Sequence, residues 1–200
     1  MSKNKLTGIA LLIVLVASFT VLLSLGSGIY REKPPIPTAF TDTSGQPVFT
    51  QNDIEQGQLV WRSMGGHQLG SIWGHGSYVA PDWTADWLHR EAQAWLSITA
   101  KQRFNRDFAD LDTEQQAGLE KALRNDIRHN TVIEGAEDKT YVALSNTRIA
   151  AINQVMQHYL SLFGDDPELS SLREQYAMKE GTITDAEHRE LLNAFLFWGA

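Results

Sequence analysis

The sequence predicts a mainly α fold: one N-terminal transmembrane helix, a helical extramembrane domain, and the start of a second transmembrane helix at the far end. Three observations lead there. Leu6 to Tyr30 runs for 25 residues without a charge, long enough to cross the ~30 Å hydrocarbon core of a bilayer. Beyond it, capping residues repeatedly precede apolar side chains spaced three and four apart, the pattern of helices with one buried face. From Leu191 to Ala200 the chain turns uncharged and apolar again. The boundaries read as 1–30 for the anchor, 31–185 for the extramembrane domain and 186–200 for a second membrane helix that is expected to continue past this stretch.

The anchor reads as uncleaved. A secretory signal has an apolar region of about 7–15 residues followed by a small-x-small site; here the run is longer, and Gly26, Ser27 and Gly28 offer only a poor site. Lys3 and Lys5 precede the run, whereas Glu32 offsets Arg31 and Lys33 after it. This asymmetry places the N-terminus in the cytoplasm and the domain outside it. Without the two N-terminal lysines, 15 basic and 24 acidic residues remain, a net of −9, which suits a water-facing domain that avoids anionic headgroups.

Pro34, Pro35 and Pro37 predict a stiff exit, and Asp42 to Gly45 a turn between short extended pieces. Asn52 or Asp53 is expected to cap a helix with Ile54, Gly57, Trp61 and Met64 turned inward. Five glycines between Gly65 and Gly76 predict a loop with close backbone approaches. Asp82 caps the next helix, where Trp83, Trp87, Leu88, Trp95 and Leu96 make one apolar face. Thr113 and Gln116 form a capping box for a helix to about Arg128. Ser145 opens an amphipathic helix with Ile149, Ile152, Val155, Met156, Tyr159, Leu160 and Phe163 inside; Gly164 stops it and Pro167 starts a short one. Thr184 and Glu187 form a second box ahead of the last helix. Its apolar half either docks on the core or enters the membrane, and the sequence favours the membrane.

Composition excludes several chemistries. With no Cys, there is no disulfide, thiolate metal site, Fe–S cluster, Cys nucleophile or covalent c-type haem. A net charge of −7 without a basic patch excludes a nucleic-acid partner. His67, His75 and His89 are the one cluster with metal-ligand character, yet their spacings of eight and fourteen residues are wider than metal sites favour. Each therefore reads as a structural or surface histidine. Ser63 and Ser77 lack an activating base, and Asp82/Asp86 and Asp165/Asp166 sit where helix capping explains them. The tryptophans from Trp61 to Trp95 read mainly as core.

One frame remains. Gly57 and Trp61 lead into Ser63-Met64-Gly65-Gly66-His67, the arrangement of a c-type C-x-x-C-H helix with Ser and Gly in the cysteine places. The run Gly57-Gln58-Leu59-Val60-Trp61, Gly65-Gly66 and Gly70-Ser71-Ile72-Trp73-Gly74-His75-Gly76-Ser77-Tyr78-Val79-Ala80-Pro81-Asp82-Trp83-Thr84-Ala85-Asp86-Trp87-Leu88-His89-Arg90-Glu91 resembles the N-terminal region of the large subunit of quinol-dependent nitric oxide reductases. The likeness covers essentially the whole chain. It implies a membrane anchor and a haem-free, cytochrome-c-like extramembrane domain ahead of the catalytic membrane helices. In the cytochrome-c-dependent relatives a separate subunit keeps C-x-x-C-H followed by G-x-Y-x-A-P-[DE], which Ser63–His67 and Gly76–Asp82 resemble.

The resemblance implies the reaction 2 NO + 2 e⁻ + 2 H⁺ → N₂O + H₂O with quinol as donor. The cofactors it implies are a low-spin haem b, a high-spin haem b and a non-haem iron, ligated on later helices. No catalytic or haem-binding residue is therefore assigned here. Gly76 and Tyr78 match positions whose backbone binds a calcium ion bridging haem propionates; the alternative is a glycine-aided turn anchored by an aromatic. The implied partners are the C-terminal membrane domain of the same polypeptide, quinol, NO and the lipid bilayer. The implied location is the bacterial inner membrane, with the domain periplasmic. Two rival classes stay open: a free-standing anchored binding module using the Trp/His-rich loop, and a secreted hydrolase beginning near Gly28.

Overall fold

The computed structural model describes residues 3–31, 34–128, 131–134 and 139–200, in two units, Met1–Pro35 and Ile36–Ala200. The first unit is helix α1, Lys3–Arg31. Its stretch Lys5–Gly28, 24 residues, is long and apolar enough to cross a membrane, rising about 36 Å at 1.5 Å per residue. Thr20 Oγ1 donates to Val16 O at 2.8 Å, so the hydroxyl is satisfied inside its own helix, as a hydrocarbon surrounding requires. Glu32 and Lys33, used above to orient the anchor, lie outside the described residues.

In the second unit, β1 (Ala39–Thr41) and β2 (Pro47–Thr50) form an antiparallel hairpin. Asp42 Oδ1 closes its turn by accepting from Ser44 N, Ser44 Oγ and Gln46 N. Helix α2 (Gln51–Ser63) is capped not by Asn52 or Asp53 but by Thr50, in a box whose third helical residue is Asp53. The expected loop then holds a single turn, α3 (Gly66–Leu69), and two short strands, β3 (Ser71–Ile72) and β4 (His75–Gly76). Helix α4 runs Trp83–Phe104 from its Asp82 cap. Helix α5 spans Thr113–Arg128; its box is formed by Asp112 and Gln115, one residue ahead of the expected pair. Strands β5 (Thr131–Glu134) and β6 (Thr140–Ala143) precede α6 (Asn146–Phe163), which Ser145 caps as expected. A Pro167–Leu169 turn leads to α7 (Ser170–Gln175), and α8 (Ala186–Gly199) starts at Asp185 rather than Thr184.

The sheet is a finding that helical periodicity did not signal. Its strand order is β2-β1-β6-β5, with Ala39, Phe40 and Thr41 running parallel to Tyr141, Val142 and Ala143. The β-branched and aromatic content of Thr131–Glu134 and Thr140–Ala143 suits short strands, but their partner lies about 100 residues upstream.

The core gathers α2, α4, α6 and α8. Trp61, Trp83, Trp87, Tyr159 and Phe163 are each at most 1% exposed, and Trp87 stacks on Tyr159 with centroids 5.2 Å apart and planes within 2°. The face of α4 is Trp83, Trp87, Glu91 and Trp95; Leu88, expected on it from the sequence, is exposed, because one residue beyond Trp87 lies about 100° round the helix. Glu91 sits inside this face at 1% exposure and accepts from Trp87 Nε1 at 3.0 Å and Arg148 Nε at 2.7 Å. Arg148 in turn lies over the Phe197 ring of α8. Residues 186–200, expected to begin a second membrane helix, pack here as a core helix: Leu192 and Ala194 to Phe197 are buried. Among the described residues one helix, α1, is long and apolar enough to cross a membrane.

Helices α2 and α8 cross at Gly57, where a Cβ would overlap Leu191 O and crowd Phe195 Cβ at 2.8 Å. Gly57→Ala is expected to destabilise the domain by about 2 kcal/mol or more, since neither backbone can yield without moving a helix. Gly118→Ala, on an exposed turn of α5 with open space around it, should instead stabilise by about 0.5–1 kcal/mol. Denaturant melts of the detergent-solubilised chain measure the pair.

Candidate functional site

The loop from Gly65 to Asp82 carries every residue on which the sequence placed chemistry except Ser63, His89 and the helix-start acids. It begins under Trp61. A Cβ at Gly66 would overlap the Trp61 ring, and one at Gly70 would overlap Trp83 Nε1, so the two indoles lie directly on the loop backbone. The Trp61 and Trp83 Nε1 groups are buried and have no hydrogen-bond partner among the described residues. His67 meets the Trp61 ring edge-on at 5.8 Å, and Ser63 Oγ donates back to Val60 O at 2.9 Å. A covalent c-type haem does not fit this frame: beyond the missing thiols, a side chain at position 66 would run into Trp61.

The loop is closed by backbone bonds from Ser77 N to His67 O and Ala80 N to Leu69 O, each 2.8 Å. At its tip β3 and β4 pair Ile72 with His75, and the two residues between them, Trp73 and Gly74, have φ of 52° and 73°, as a type I′ hairpin turn requires. Gly76 has φ 143°, and a Cβ there would overlap Gly70 O, so only glycine fits. Tyr78 is 86% exposed. Of the two readings of Gly76 and Tyr78, the glycine half of the turn is present, but the aromatic anchors nothing by burial.

What does anchor the loop is Asp82. One carboxylate oxygen accepts from Ser71 Oγ at 2.7 Å and Gly74 N at 2.5 Å. The other accepts from Thr84 N and Ala85 N at 3.1 Å each and from Thr84 Oγ1. Partial burial pushes this carboxyl up, but hydrogen bonds led by Thr84, Gly74 and Ser71 outweigh it and hold its pKa at about 2. The capping role was legible in the sequence; the grip on Ser71 and Gly74 was not.

The histidines do not converge. His67 Nδ1 lies 3.3 Å from His75 O, and His75 Nδ1 lies 2.9 Å from Trp73 O. Among the described residues no three His, Cys, Asp or Glu side chains are gathered as a metal would need. Asp166 caps its 3₁₀ turn by accepting from Glu168 N. Asp86 accepts from Arg90 Nε at 2.7 Å and Tyr159 OH at 2.6 Å, a cluster that the sequence does not reveal because Tyr159 lies 73 residues from Asp86. Nearby, burial first and the Arg90 charge second pull the His158 pKa down to about 4, so its ring is neutral at physiological pH.

The site is thus a glycine-rich loop on an aromatic helical core, with a Ser63–His67 frame that carries no thiol for covalent haem attachment. The family model for the NorB cytochrome c-like domain of nitric oxide reductase matches residues 37–200. The chain belongs to that family. A comparison with curated proteins finds no match.

The Asp82 carboxyl titrates lower in the folded chain than its usual value near 3.9, so its contribution is present above about pH 4 and is lost as pH falls through about 2. Asp82→Asn should therefore destabilise the neutral protein by about 1 kcal/mol after solvent screening. The pH-dependent part of the difference between wild type and variant should disappear between pH 4 and 2, as followed by urea melts across that range.

Proposed function

We propose that this chain is the N-terminal part of a membrane nitric oxide reductase that reduces NO to N₂O and water with electrons from quinol. In this reading α1 anchors it in the bacterial inner membrane, with the N-terminus cytoplasmic and the second unit periplasmic. The polypeptide continues from α8 into a catalytic membrane domain that holds the haem b groups and the non-haem iron. The present segment covers the outer face of that domain and takes no part in the chemistry.

The observation that carries the proposal is the family match combined with Gly66 lying against Trp61. A domain that cannot hold a c-type haem cannot relay electrons from a soluble cytochrome. A donor dissolved in the bilayer needs no such relay, so quinol is the donor that fits. The loop from Gly70 to Asp82 presents Trp73, Tyr78 and Val79 at 46%, 86% and 54% exposure, an uncharged surface suited to covering a protein face. Gly76 and Tyr78 are proposed to lend carbonyl oxygens to a calcium ion, a hard cation that accepts such ligands. Asp82 is already committed to donors of its loop and of the first turn of α4, so it is not among the proposed ligands.

The full-length enzyme in detergent, supplied with NO, is expected to turn over with a quinol donor and to ignore reduced cytochrome c. Efficient electron uptake from cytochrome c with none from quinol would overturn the reading.

A further inference from the structure

Trp73 stands in a backbone conformation that its side chain disfavours. Its φ of 52° belongs to the left-handed region, where a bulky residue is a genuine outlier. At the first central position of a two-residue hairpin, Asn, Asp or Gly is the usual occupant. A conformation of this kind persists only where the surroundings over-determine it. Burial does not supply the reason, because the residue is 46% exposed.

The surroundings that hold it belong to the far end of the domain. Trp73 Nε1 donates to Gly199 O at 2.7 Å, and its ring lies 5.6 Å from that of Trp198. The Trp73 amide donates to Thr84 Oγ1 at 3.4 Å, and a Cβ on Gly199 would come within 2.9 Å of Thr84 Cγ2. The next residue, Gly74, is held by Asp82. The tip of the loop, the start of α4 and the end of α8 are thus joined through one residue, by its backbone amide and its indole.

We infer that Trp73 is a positioning residue that latches the Gly74–Asp82 loop onto the last turn of α8, and so sets where Gly76 and Tyr78 stand relative to the membrane domain they face. The inference rests on the proposed function for what the loop faces, but the latch itself does not. A left-handed turn is the geometry that turns the indole back onto α8, which explains a tryptophan where glycine would be free of strain.

Two measurements test it. In the 200-residue chain in detergent, Trp73→Phe keeps an aromatic side chain and removes the Nε1–H donor. Hydrogen exchange of the Ser77 and Ala80 amides should then speed up about tenfold while α2 amides are unchanged; wild-type exchange at those two amides overturns the latch. In the full-length enzyme, Trp73→Gly should lower quinol-driven NO turnover per haem about tenfold, as a small misplacement near a reacting centre does. The KM for quinol should stay unchanged, and the thermal midpoint should stay within a few degrees of wild type. Wild-type turnover, or a loss that only follows falling haem content or melting temperature, overturns the positioning role. Should Trp73→Gly not assemble, Trp73→Phe decides: a partial loss of turnover at unchanged KM supports the role, and full turnover overturns it. A wild-type enzyme inactive with quinol would instead fail the proposed function, leaving the exchange result standing.

Discussion

At Gly57 the backbones of α2 and α8 come into contact, with no room for a β-carbon between them, and most of the second unit is arranged around that contact. One turn further along α2, Trp61 is carried beneath the loop and against Gly66. Phe197, near the end of α8, meets Phe40, Phe49 and Trp87, tying strands, α4 and α8 into one packed centre. A larger residue at position 57 would tilt α8 away and open all of these at once. Because packed interiors transmit strain instead of absorbing it, the tolerance at this point is small.

A second constraint is electrical. Glu91 is almost wholly buried, and its charge is balanced by Arg148, with the Trp87 indole adding a third group. Such a pair gives little net stability over an apolar substitute, yet removing one partner strands a buried charge. Its use here is registry: α4 and α6 can slide along one another only by breaking it, and the Phe197 ring below Arg148 brings α8 into the same arrangement. Asp82 plays the comparable part at the surface, gathering backbone and hydroxyl donors of the loop and of the first turn of α4 around a single carboxylate.

Local features of the sequence were readable and non-local ones were not. The caps at Asp82 and Ser145 were legible, whereas those at Thr50, Asp112 and Asp185 were displaced by one to three residues. In each displaced case another residue able to cap lies close by, and only the path of the incoming chain chooses between them. The glycine-rich stretch was readable as a loop because so many glycines resist a helix. The positive φ of Trp73, the orphaned indoles and the Asp86–Tyr159 contact depend on partners brought from elsewhere in the chain, which periodicity cannot register. The degenerate frame at Ser63–His67 was visible as spacing, but its meaning came from the family likeness and from the Trp61 ring packed against Gly66.

The parallel pairing of β1 with β6 joins residues 39–41 to 141–143, and α2 must likewise wait for α8. Both ends of the domain's sequence are therefore needed before its centre can close. During synthesis at about 5–20 residues per second, β1 waits roughly 5–20 s for its parallel partner. Over that interval Phe40, Phe49 and Trp61 are without the neighbours that bury them. An edge left open for that interval is the stretch of this domain most able to pair with a wrong strand.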